Sequence, residues 1–225
     1  MNSKIDKKNL IKHNINFLEY PLWFQDDKFA ERTKDGFSWR DIEGYVFHSG
    51  YKVPVKTDAT FLLYFLLQSQ RNNYAEEVVL TRYQVIKECE LGLNSKWYKR
   101  LEESLDRWLR VDVAFKGKFF DGKEYQHIGF HIIESWKLEE NTNILRIKFS
   151  SDFLAMMKGK GFFKYVNFNE FKALKTSLAT RLYEILSKSF YHRETWPINA
   201  ILLAKKIPMR EKYPAHIIPK IRTAL

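Results

Sequence analysis

Between Leu80 and Lys118 the apolar positions change period twice. Tyr83, Ile86 and the Cys89–Leu91 end recur at helical spacing behind Thr81, a residue type that caps helix starts, and Gly92 is placed to end that helix. A second helix opens at Asn94 or Ser95, with Trp97, Leu101, Leu105 and Trp108 spaced four, four and three. Its other side carries Lys96, Lys99, Arg100, Glu103 and Arg107. Beyond Leu109 the period falls toward two: Val111, Val113 and Phe115 alternate with Asp112, Ala114 and Lys116. Asp121-Gly122 is a hairpin turn signal. The order is helix, turn, helix, hairpin, and such a pair presents its second helix to the DNA major groove.

The rest of the chain gives a coarser pattern. Residues 1–16 are polar and read as a mobile tail. Leu18–Phe24 is apolar and interrupted by Pro21, hence extended. Phe37–Val55 suggests short strands. Thr57 is placed to cap a helix, with Asp58 in its first turn and Phe61, Leu62, Phe65 and Leu66 facing a core. Val78–Leu80 is a short strand. Tyr125–Leu138 reads as one long strand, followed by a turn near Asn141–Asn143 and a strand at Ile144–Phe149. Ser150 or Ser151 caps a short helix, and Gly159 and Gly161 punctuate the chain. Phe162–Phe168 alternates like a strand. Helices follow at Asn169–Leu174, Thr176–Tyr191 and Ile198–Ile207, and Pro219 is placed as the first residue of a last helix. Strand, long helix, second helix and basic helix thus occur twice, but the second time no hairpin follows. The expected fold is α+β: two tandem winged-helix domains over 17–160 and 161–225, the second lacking its wing.

Charge divides the chain in the same place. The net charge is +11 over 225 residues. From Lys158 to Leu225 there are 14 Lys and Arg against four Glu and no Asp, so all but one of the net positive charges lie there. A protein this basic meets a polyanion. Cys89 is the single cysteine, so no internal disulfide forms. No signal-peptide core and no run of about 18 apolar residues is present, which predicts a soluble cytoplasmic protein with no membrane partner.

Leu18–Phe24, the Thr57–Gln70 helix, the Leu80–Leu109 helix pair and Arg181-Leu182-Tyr183-Glu184 together resemble the plasmid replication initiator proteins of the replication initiator protein A type. The resemblance spans about Leu18 to Leu225 and rests on the order of segments. It implies tandem winged helices on the repeated sites of a bacterial plasmid origin, dimers that repress their own promoter, and contacts with host replication proteins. The alternatives are a winged-helix transcription regulator without a replication role and a protein-docking winged helix.

The candidate DNA-binding residues follow from position and charge. Thr81 and Arg82 start the first helix of the pair and are expected at phosphates. Ser95, Lys96, Lys99 and Arg100 start the second, and Arg100 is the expected base reader, since arginine pairs two donors with guanine. Lys116, Lys118 and Lys123 surround the hairpin tip, read as the wing. Lys205, Lys206, Arg210, Lys212, Lys220 and Arg222 form the C-terminal electrostatic footprint. A basic helix face can also be merely solvated. Gly117–Lys123 matches a phosphate-binding loop except that Glu124 stands where Ser or Thr would hold magnesium, and it lies between strands. His127 and His131 lack a further metal ligand, and there is no His-x-His nickase motif. Neither a catalytic group nor a cofactor is expected.

Overall fold

The computed structural model describes residues 7–159, 162–190 and 194–225. Gly161, Tyr191 and the first six residues of the predicted tail lie outside them. The elements run β1 (Leu10–Asn14), α1 (Ile15–Glu19), α2 (Asp27–Glu31), β2 (Phe37–Trp39), β3 (Tyr45–Ser49), α3 (Lys56–Arg71), β4 (Glu77–Thr81), α4 (Arg82–Glu88) and α5 (Ser95–Leu109). Then come β5 (Val111–Phe120), β6 (Tyr125–His131), β7 (Ile133–Glu139), β8 (Ile144–Phe149), α6 (Ser151–Lys158), β9 (Phe163–Asn167), α7 (Phe168–Ala173), α8 (Ser177–Ser189), α9 (Ala200–Lys206) and α10 (Pro214–Ala224).

Three antiparallel sheets carry the strands, in the orders β1-β9, β2-β3-β5-β6 and β4-β8-β7. α3 is buried from Asp58 through Leu67 without a break, as befits the central helix of a core. It starts earlier than predicted: Val55, not Thr57, is the N-cap, and its N–H donates to Asp58 Oδ2 at 2.7 Å.

The predicted long strand from Tyr125 to Leu138 is two strands in different sheets. β6 pairs with β5 and β7 with β8. The break falls at Ile132, whose carbonyl accepts from Ser150 N at 3.1 Å. Ile132 and Ile133 are both buried, and two adjacent inward residues are incompatible with one continuous strand facing one core.

Leu10–Asn14 is no tail. It pairs in register with β9, Leu10 opposite Asn167 and Asn14 opposite Phe163. α8, α9 and α10 enclose a small core of their own, Leu182, Ile185, Leu203 and Ile207, whereas Val166, Phe168 and Phe171, expected in the second domain, join the large core. α10 begins at Pro214, so Pro219 lies inside it rather than at its start.

The two units are joined by a buried polar network. Arg181, 1% exposed, pairs with Glu184 at 2.7 Å and donates to the carbonyls of Glu19 (2.9 Å) and Lys206 (3.1 Å). Glu184 also accepts from Trp23 Nε1 at 3.1 Å. The Arg-Leu-Tyr-Glu segment thus ties α8 to the end of α1 and to Trp23 in the chain that follows it. Among the described residues no helix is long and apolar enough to cross a membrane.

Candidate nucleic-acid interface

Thr81 and Gln84 begin α4 with a reciprocal cap: Thr81 Oγ1 accepts from Gln84 N at 3.2 Å and Gln84 Oε1 accepts from Thr81 N at 2.8 Å. The helix ends at Glu88. Glu90, with φ 57°, takes the left-handed position expected for Gly92, and Leu91 N closes the turn on Ile86 O at 3.0 Å. Asn94 then caps α5, its side chain accepting from Trp97 N at 3.3 Å. Leu101, Leu105 and Trp108 are fully buried and hold α5 on the core.

Arg100 does not face outward. Its guanidinium meets Asp58 through two bonds, Nη1 to Oδ1 at 2.5 Å and Nη2 to Oδ2 at 2.8 Å. Arg107, read with the free polar side, is 2% exposed and adds a 3.0 Å bond to Asp58 Oδ2 and one to Glu103 at 3.0 Å. Asp58 itself is fully buried. Residues 100, 104 and 107 form a second inward stripe beside the apolar one, which narrows the free face of α5 to Ser95, Lys96 and Lys99 with flanking acids. Ser95, Lys96 and Lys99 are exposed, and neither lysine has an ion pair among the described residues. Lys96 Nζ lies 5.6 Å from the Trp97 ring centroid.

Arg82 is similarly committed. It bonds Glu102 Oε1 at 2.5 Å and Asn143 Oδ1 at 2.5 Å, and lies 5.4 Å from the Tyr98 ring. Thr81 is half-buried as the cap.

The wing assignment is corrected by strand pairing. In a winged helix the wing hairpin returns to pair with the strand between the first two helices. Here that strand is β4, and its partner is β8. The wing is therefore the β7–β8 hairpin, with its turn at Glu140–Asn143. Lys116, Lys118 and Lys123 belong to the β5–β6 hairpin of another sheet; Lys116 and Lys123 are exposed and Lys118 is half-buried. Lys137 on β7 is exposed, and the sequence pattern hides it by running its strand on from β6. The adjacent Ile132-Ile133 was the readable sign of the break. Arg146 and Lys148, also on this sheet, are paired with Glu139 and Glu134, both at 2.9 Å.

In the second unit Lys205, Lys212 and Arg222 are exposed without an ion pair among the described residues. The others are engaged. Lys206 and Lys188 both meet the carboxylate of Glu19. Arg210 reaches Asp26 at 3.3 Å and lies 4.7 Å from the Phe29 ring. Lys220 pairs with Glu211. Among the described residues no three His, Cys, Asp or Glu are grouped to hold a metal.

No curated protein sequence matches the chain. Solved structures share its fold, the Pi initiator protein and RctB among them. The Pi initiator protein, solved in complex with iteron DNA, is 13% identical, with a TM-score of 0.57 over 98% of this chain and 86% of that one. Domains 2 and 3 of RctB, solved as a selenomethionine derivative, are 12% identical, with a TM-score of 0.52 over 83% and 74%. The family described as "Initiator Replication protein, WH1" matches residues 47–187, which takes in α3, the α4–α5 pair and the β7–β8 wing. The chain therefore belongs to the initiator replication protein family.

Proposed function

We propose that this protein binds duplex DNA of a plasmid origin and starts replication there. The observation that carries the reading is the pair of exposed lysines Lys96 and Lys99, without an ion pair among the described residues, at the start of the second helix of a complete helix–turn–helix, in a chain of the initiator family. The fold shared with an initiator solved on iteron DNA supports repeated sites as the target. Ser95, Lys96 and Lys99 enter the groove, the Thr81 end of α4 lies at the backbone, and Lys137 on the wing adds a flanking phosphate contact. Lys205, Lys212 and Arg222 supply the attraction of the second unit, to which the more engaged Lys206, Arg210 and Lys220 add charge. Lys116, Lys118 and Lys123 contribute to the field rather than as a wing. Arg82 and Arg100 act on the protein side, by fixing the helix pair.

The reading extends to repression of its own promoter, pairing with a second copy, and work with host replication proteins in the cytoplasm, with no catalytic step of its own. Lys96→Ala with Lys99→Ala is expected to weaken binding to origin duplex at least about tenfold and to lower the salt slope by about 2. Fluorescence anisotropy at several salt concentrations measures both. Unchanged affinity with an intact fold would overturn the assignment and leave a docking module in its place.

A further inference from the structure

The β5–β6 hairpin is left without a role once the wing is placed elsewhere, and it walls a cavity of about 450 Å³ against α1 and the end of α8. One side is aromatic. Phe120 and Tyr125 lie with ring centroids 5.2 Å apart, and Tyr125 is 65% exposed. Tyr20 completes this wall, and its hydroxyl has no hydrogen-bond partner among the described residues. The wall is fixed from behind: Asn16, buried, donates to Phe120 O at 2.8 Å and accepts from Phe120 N at 3.1 Å.

The other side is cationic. Gly117, at φ 66°, sits in the register shift between Phe115 and Phe119, and the strand leaves the bulge with Lys118 turned to the cavity. The Lys118 stem rests on Gly44, where a Cβ would come within 2.4 Å of Lys118 Cγ. Lys118 has no acidic partner among the described residues. Lys188 lines the cavity from α8 beside Glu19, which also lines it and whose single carboxylate Lys188 shares with Lys206.

We infer that this cavity binds a nucleotide, its base against Tyr125 and Phe120 and its phosphate between Lys118 and Lys188. An aromatic wall of two tilted rings facing two cations matches a ligand that is aromatic at one end and anionic at the other. The volume lies in the range of small-ligand sites, and base–aromatic stacking is tolerant of base identity. The site uses side chains. It owes nothing to the resemblance of Gly117–Lys123 to a phosphate loop, since that loop works through a helix start and here a strand follows. The same chemistry is presented by a free nucleotide and by an unpaired nucleotide within a single strand.

Calorimetric titration of the full chain with ATP and, separately, with a twelve-residue oligothymidylate tests the inference and separates the two sources. Binding of ATP alone identifies a free nucleotide; binding of the oligomer alone identifies an unpaired nucleotide in a strand. Tyr125→Ala and Lys118→Gln are each expected to weaken whichever probe binds by about tenfold. Tyr125→Ala removes an exposed ring, so its melting temperature should match that of the unmodified protein. Lys96→Ala with Lys99→Ala should leave this binding intact while lowering duplex affinity, which separates this site from the duplex interface. The inference falls if neither probe binds more tightly than about 1 mM, or if both cavity variants bind as the unmodified chain does.

Discussion

An arginine in the first turns of a helix turns toward whichever anion lies nearest, and for Arg100 that anion is Asp58. Sequence shows Arg100 beside Lys99 and gives both to the free side, because Asp58 lies 42 positions away and its own spacing marks only the first turn of a helix. The fold brings the two together. Asp58 receives Arg100, Arg107 and the Val55 amide, so its carboxylate fixes α5 to the start of α3. Removing one partner of a buried ion pair leaves the others uncompensated, at a cost of about 3–5 kcal/mol. Asp58→Asn is therefore expected to lower unfolding free energy by that order in a urea titration. A loss under about 1 kcal/mol would show that the network does not hold α5.

Turn chemistry decides how an element ends, and here it differs from the first expectation. Gly92 is the obvious stop for α4, yet the chain reverses two residues earlier with Glu90 in the left-handed region, a conformation that glycine adopts without steric penalty. Glu90 is held there by the Leu91–Ile86 bond and offers its carboxylate to Lys172 at 2.8 Å. The Glu90 side chain of that pair is 72% exposed, so the pair adds little. Glu90→Gly is expected to raise stability by about 1 kcal/mol, seen as a higher urea midpoint at unchanged slope. A lower midpoint would assign the Lys172 contact a larger part.

Elements of strong period were legible: the α5 stripe, the Asp121-Gly122 turn, the capped helices and most strands. What was not legible depends on pairing between distant segments. Nothing local to Gly117–Lys123 or Asn141–Asn143 says which hairpin returns to β4. That is settled by Ile144–Phe149 lying along Glu77–Thr81. The candidate interface was legible in part: Lys96 and Lys99 are exposed as read, whereas Arg100, Arg107 and Arg82 turn to Asp58 and Glu102, partners far from them in sequence.

Across the whole molecule the basic second unit is less free than its charge count implies, since Lys206, Arg210 and Lys220 meet acids and two of those acids, Glu19 and Asp26, belong to the first unit. Its junction also responds to pH. His13, on β1, is fully enclosed, and burial, helped by the charge of Arg181, lowers it to about 4 from an ordinary 6.5 against a weak backbone bond to Asn14. The folded state therefore holds His13 neutral where the unfolded chain takes up a proton. That contribution is complete above pH 6.5 and lost as pH falls toward 4, a change on the order of 3 kcal/mol. Denaturant titrations across this window should show a shallower decline for His13→Gln than for the unmodified protein; parallel declines would place the acid sensitivity elsewhere.

The β1–β9 pairing also orders events in time. Leu10 finds Asn167 only after some 150 further residues have left the ribosome, on the order of ten seconds at ordinary elongation rates. Until then the first strand has no partner to complete its sheet. The nascent first half thus keeps an open strand edge toward chaperones and other unpaired strands, and a ribosome stalled before Phe163 releases a chain whose first strand never finds its partner.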